Sequence, residues 1–84
     1  MRWKKSNLQR KLEGEGWEFL TNRPLDLPGQ HRLLPLFPET AHNIQQMYLG
    51  CGFAHVYITS QAYDSKGKHL PRTYGVYVKR RPPL

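Results

Sequence analysis

The stretch FAHVYITSQAYDSKGKHLPRTYGVYVKR, residues 53–80, decides the fold. Two alternating runs rich in β-branched and aromatic residues flank Asp64-Ser65-Lys66-Gly67, which suits a type I turn with glycine in the left-handed position. Such a turn closes a short hairpin loop with a bulge and sets Asp64 opposite Lys68. Carried outward, this register pairs Ile58 with Tyr74, Val56 with Val76 and Ala54 with Val78. Those residues form an apolar face. On the other face it pairs Thr59 with Thr73, Tyr57 with Gly75, His55 with Tyr77 and Phe53 with Lys79. Turn chemistry and alternation agree, as they do in a real hairpin. Pro71 is the exception. It has no N–H to give to a ladder, so the second strand lies at an edge or the ladder is broken between 61 and 71.

Upstream of the hairpin, residues 43–56 read NIQQMYLGCGFAHV and residues 7–20 read NLQRKLEGEGWEFL. Set 36 residues apart, the two segments share Asn, Gln and both glycines, and Trp17 falls on Phe53. Each reads as a short amphipathic helix, then Gly-x-Gly-aromatic, then a strand. Gly14 and Gly50 are placed to end the helices in the left-handed conformation, with Gly16 and Gly52 permitting the reversal into the strand. Ser6 is a good N-cap and Gln9 completes a capping box, so the first helix is expected over about 6–13. Leu8 and Leu12 give it a core-facing stripe. A strand follows over about 17–21. Four prolines between Pro24 and Pro38 break regular structure, leaving room only for a short edge strand at His31–Leu34. The second helix is expected over about 40–49, with Ala41, Ile44, Met47 and Tyr48 facing the core.

The expected fold is a single small α+β domain over 1–81, with a Pro-rich tail at 82–84. Two short helices pack on one face of a small, mainly antiparallel sheet, in the order helix, strand, proline-rich connection, helix, strand, strand.

Eighty-four residues support only a thin core. No run reaches 18 apolar residues, so no membrane span is expected. The basic N-terminal residues are followed by no apolar stretch, which argues against a secretory signal. A single cysteine, Cys51, fits a reducing, intracellular and cytoplasmic setting. The net charge is +7, with a sequence pI of about 9.9. Residues 43–84 hold six basic and one acidic side chain, and Lys79-Arg80-Arg81 is the densest run. Such a field attracts nucleic acid or an acidic protein surface, although charge alone also keeps a small protein soluble.

The second hairpin face carries His55, Tyr57, Tyr77 and Lys79. Arg80, Arg81, Arg72, Lys66 and Lys68 stand at its borders. Aromatic rings interleaved with cations on a sheet suit single-stranded RNA or DNA, with bases stacking on rings and cations following phosphates. Gly75 would leave a gap beside Tyr57 for close approach. The plainer reading is a face covered by the first helix or the proline-rich segment, since Tyr and Thr favour any strand. The second helix has no Lys or Arg from His42 to Leu49, which argues against major-groove readout. Cys51 and His55 have Cys-x3-His spacing but lack a second ligand pair, so no metal and no cofactor are expected. A small buried thiol is the simpler account of Cys51. A protein accessory role, through an acidic partner surface or self-association, is the alternative function.

Residues 8–31 run through a helix, Gly-Trp, a strand and Gly29-Gln30-His31. Over this stretch, less than a third of the chain, the sequence resembles HicA-type toxins, small basic ribonucleases of double-stranded-RNA-binding fold with a Gly-Ser-His motif. The resemblance implies ribonuclease activity with His31 as the catalytic residue. Gln30 stands where the motif has serine, and the prolines of 24–35 fall within the family's central hairpin.

Overall fold

The computed structural model describes residues 7–31, 34–60, 62–64 and 66–82. Its elements are helix α1 (Asn7–Gly14), strand β1 (Glu18–Pro24), helix α2 (Pro38–Gly50), strands β2 (His55–Thr59), β3 (Ala62–Tyr63) and β4 (His69–Leu70), and strand β5 (Thr73–Lys79). The chain is a small α+β domain with the expected order of elements. A three-stranded antiparallel sheet has the order β1-β5-β2, and β3 pairs with β4 in a separate two-stranded sheet. No helix among the described residues is long and apolar enough to cross a membrane.

The turn forms as its sequence requires. Gly67 has φ 80°, its N–H donates to Asp64 O at 3.0 Å, and the Asp64 carboxylate accepts the N–H groups of Lys66 and Lys68. The expected register holds beside it, with Tyr63 opposite His69 and Ala62 opposite Leu70. Beyond that point it does not. Thr59 pairs with Gly75, Ile58 with Val76, Tyr57 with Tyr77, Val56 with Val78 and His55 with Lys79. Two extra residues have entered the returning chain, where Pro71 breaks the ladder. Arg72 there adopts a left-handed φ of 57°, and its carbonyl accepts Leu25 N–H at 2.8 Å. Because side chains alternate with period two, a slip of two residues changes every partner and no face. The valines therefore still meet Val56 and Ile58.

The broken-ladder alternative thus describes the chain, and the edge alternative does not: β5 is the central strand. Pro71 precedes it, so every ladder position of β5 keeps its N–H. Val76 and Val78 are fully buried and form the core with Leu25, Leu36, Ile44, Val56 and Tyr74. Helix α2 supplies Ile44 from one side of the sheet. It starts at Pro38, two residues before the expected Thr40, because proline is well suited to the first helical position.

Helix α1 does not share that side. Its one buried residue, Leu12, stands outside the core cluster. Glu13 lies close enough to Tyr77 to act on its hydroxyl, and Tyr77 faces away from the core valines. The two helices therefore pack on opposite faces, correcting the expectation that both share one. Each helix runs through a Gly-aromatic junction into a strand, and both strands lie antiparallel to β5, one on each side. Gly16 (φ 92°) and Gly52 (φ 105°) make the reversals into the strands as expected, and the left-handed conformation expected at Gly14 and Gly50 falls on them instead. Gly16 N–H reaches Glu13 O and Trp17 N–H reaches Leu12 O, satisfying the last carbonyls of α1. The N-cap expected at Ser6 lies outside the described residues.

The edge strand expected at His31–Leu34 falls in part on Arg32 and Leu33, which lie outside the described residues. His31 and Leu34 are not in a strand, and Leu34 N–H donates to His31 O at 3.0 Å. Buried Gln30 holds this segment together. Its Nε2 donates to His31 O and Pro35 O, and its Oε1 accepts Phe37 N–H at 2.9 Å.

Candidate nucleic-acid interface

The face of the sheet opposite the valines begins with the register. His55 lies opposite Lys79, and Tyr57 opposite Tyr77 on β5. On the other side of β5, Phe19 lies opposite Tyr77. Leu20 packs on the core while Phe19 lies on this face, and a bulge between Phe19 and Thr21 leaves Leu20 unpaired and sets Thr21 opposite Val76. Trp17, leaving the α1 junction, meets the same group. Its ring lies 5.9 Å from Tyr57 and 6.5 Å, edge-on, from His55. Lys79 Nζ stands 4.8 Å over the Trp17 ring. The result is a cluster of Trp17, His55 and Tyr57 with a cation lying on it, and Phe19 stands on the same face across β5, in contact with Tyr77. Tyr57 is 41% exposed and Phe19 36%, and His55 is exposed.

Tyr77 is the exception among the expected contacts. It is 5% exposed, beneath Phe19 at 5.5 Å and beside α1. Burial, and then the nearby Glu13 carboxylate, push its hydroxyl above the usual tyrosine range. Tyr77 therefore floors the patch and presents no open ring. Gly75 leaves no gap beside Tyr57 either. It lies opposite Thr59, is buried, and gives its N–H to Thr59 Oγ1 at 3.0 Å.

The basic residues divide into two groups. Lys79, Arg80 and Arg81 lie at the end of β5 nearest the patch, with Lys79 on the ring face and Arg80 turned to the valine face, where Glu18 stands opposite Val78. Arg80 is exposed, but its guanidinium donates to Glu18 at 2.9 and 3.3 Å and lies 5.5 Å from the Phe53 ring. The hydrogen bond from Arg80 holds the Glu18 carboxyl below its ordinary range. Arg81 is exposed. Arg72, Lys66 and Lys68, all exposed, lie past the other end of β5, about 20 Å away at the rise of a seven-residue strand. They do not join the aromatic patch.

Trp17 and Phe19 are the members that sequence reasoning missed as site residues. Their apolar character reads as core. Only the pairing of β1 with β5 carries them onto this face, and no local signal specifies that pairing.

The remaining candidates are dispersed. His31 is an exposed loop residue whose carbonyl holds Gln30 and Leu34, and Gln30 is turned inward as a structural clip. This loop geometry adds nothing to the ribonuclease reading. Cys51 is exposed, correcting the expectation of a buried thiol. Among the described residues no three His, Cys, Asp or Glu side chains come together to hold a metal ion. Comparison with known protein families, characterised proteins and solved structures finds no match to this chain, so the site rests on its own geometry.

Proposed function

We propose that this protein binds single-stranded nucleic acid, RNA or DNA, without catalysing a reaction. Trp17, Phe19, His55 and Tyr57 are the stacking platform, and Lys79, Arg80 and Arg81 are the phosphate contacts. The observation that carries this reading is the partly open cluster of Trp17, His55 and Tyr57 on an antiparallel sheet, with Lys79 lying over Trp17 and Phe19 exposed on the same face. Bases stack on such rings for about 1–3 kcal/mol each, whatever the sequence. The net charge of +7 supplies the long-range attraction. Three phosphate contacts give a log–log salt slope of about −2 for a single strand. Titrating a labelled single-stranded oligonucleotide by fluorescence anisotropy at low and moderate salt tests this. Binding that weakens roughly 100-fold per tenfold rise in salt is expected. No binding at low salt removes the proposal.

A second reading is an accessory protein that docks on another protein. Met47, 57% exposed, borders a hollow with Leu27, Pro28 and Ile44 on the side away from the ring patch, which favours it. Partners that survive nuclease treatment in a pulldown favour docking, and partners lost on nuclease treatment favour nucleic acid.

A further inference from the structure

One hollow is absorbed neither by the ring patch nor by the core. Cys51, Gly52, Phe53, Arg80 and Arg81 line 330 Å³ at the junction of α2 with β2. We propose that it receives a phosphate monoester, the phosphorylated end of a strand whose bases lie on the aromatic patch. This rests on the binding reading above and adds a preference for one kind of strand end.

Position comes first. Ala54 N–H donates to Lys79 O at 2.9 Å, and His55 lies opposite Lys79. Phe53 and Arg80 are the chain neighbours of Ala54 and Lys79. The hollow therefore lies at the same end of the sheet as His55 and Lys79 but on its α2 side, and a strand leaving the patch reaches it round that end. Size comes next. A volume of 330 Å³ is at the small end of ligand pockets, about 300–1,000 Å³, and suits one terminal phosphate with part of its sugar.

Charge then selects the ligand. Two guanidinium groups border the hollow, and planar guanidinium forks match phosphate oxygens. Opposing groups are also near. Glu18 engages Nε and Nη2 of Arg80, and the C-terminal end of α2 contributes a partial negative charge. That helix end is blunted, because the N–H groups of Cys51 and Gly52 already donate to the carbonyls of Tyr48 and Leu49. Arg81 has no ion pair among the described residues and supplies the free cation. A monoester carries about −1.5 to −2 charges at pH 7, against one for a backbone diester, so the hollow favours a phosphorylated terminus over the middle of a strand.

The test compares three thymidine tetramers by anisotropy: 5′-phosphorylated, 3′-phosphorylated and unphosphorylated. One phosphorylated form is expected to bind about tenfold more tightly than the unphosphorylated form, the increment of one charge-assisted hydrogen bond. Arg81→Gln, at an exposed position, is expected to erase that ratio. Tyr57→Ala is expected to weaken all three alike and preserve it. Equal affinity for the three ends, or a ratio that survives Arg81→Gln, overturns the proposal while leaving the binding reading in place. If no tetramer binds, the binding reading fails, and the hollow is tested by titrating inorganic phosphate into the ¹⁵N-labelled full chain. Shifts of the Gly52 and Phe53 amides that vanish in Arg81→Gln keep it as a phosphate site, and their absence overturns it.

Discussion

Replacing Gly75 by alanine puts a methyl group where the central strand has no room. A Cβ on Gly75 would lie 2.8 Å from Thr59 Oγ1, 3.5 Å from Asn22 Oδ1 and 3.6 Å from Tyr77 Cε2. Thr59 cannot yield freely. It is 3% exposed, and its Oγ1 accepts the Gly75 N–H at 3.0 Å. Rotating it away loses that hydrogen bond, worth about 0.5–1.5 kcal/mol. Holding it in place overpacks the site at about 1–3 kcal/mol. Alanine recovers about 0.5–1 kcal/mol through lower chain entropy in the unfolded state. The net loss is about 1 kcal/mol, or roughly 4–8 °C in Tm for a domain of this size. Urea denaturation of Gly75→Ala, Thr59→Ala and the double variant measures it. The double variant should be less destabilised than the sum of the two single variants by about 1 kcal/mol, because it removes the clashing oxygen. A Gly75→Ala protein as stable as the parent, or strict additivity, would refute the register that places Gly75 opposite Thr59.

Gln30→Ala removes three hydrogen bonds from the proline-rich connection and should cost about 2–4 kcal/mol in chemical denaturation, since the buried partners are left unmatched. A cost below about 0.5 kcal/mol would exclude the clip role. Glu18→Gln releases the exposed Arg80 guanidinium. It should move Tm by no more than a few degrees and steepen the salt slope of oligonucleotide binding by up to about one unit, and an unchanged slope would show that Arg80 does not contact phosphate. Burial is the first cause raising both Tyr74 and Tyr77 above the ordinary value of 10.0. Their stabilising contribution is full below the unfolded value and lost as pH rises through the raised folded values. Denaturation midpoints should therefore fall above about pH 10, and a midpoint that stays flat well beyond that would contradict the burial of these hydroxyls.

The sequence carried the face assignment further than the register. Alternation put Val56, Ile58, Val76 and Val78 on one side, and those residues lie there. The Asp64–Gly67 turn fixed the pairs beside it, but it carries no information past Pro71, where the chain absorbs two more residues. An even slip is invisible to hydrophobic alternation, so the partners of His55 and Tyr57 changed while their face did not. The repeated Gly-aromatic junction was legible as local structure. Its consequence was not, because which side of β5 each strand takes depends on long-range pairing. That choice sends α1 to the ring face, buries Tyr77 and brings in Trp17 and Phe19. Cys51 looked buried because small residues between glycines usually are, yet its position after the last turn of α2 leaves it in solvent.

The central claim is that bases stack on the open rings beside Trp17, and Trp17 itself can report it. In a Trp3→Phe background the indole emission comes from Trp17 alone. Adding a single-stranded oligonucleotide at low salt should quench that emission saturably, and raising the salt should restore it. Emission that stays unchanged in the folded protein, at oligonucleotide concentrations reaching the millimolar range, would contradict the account.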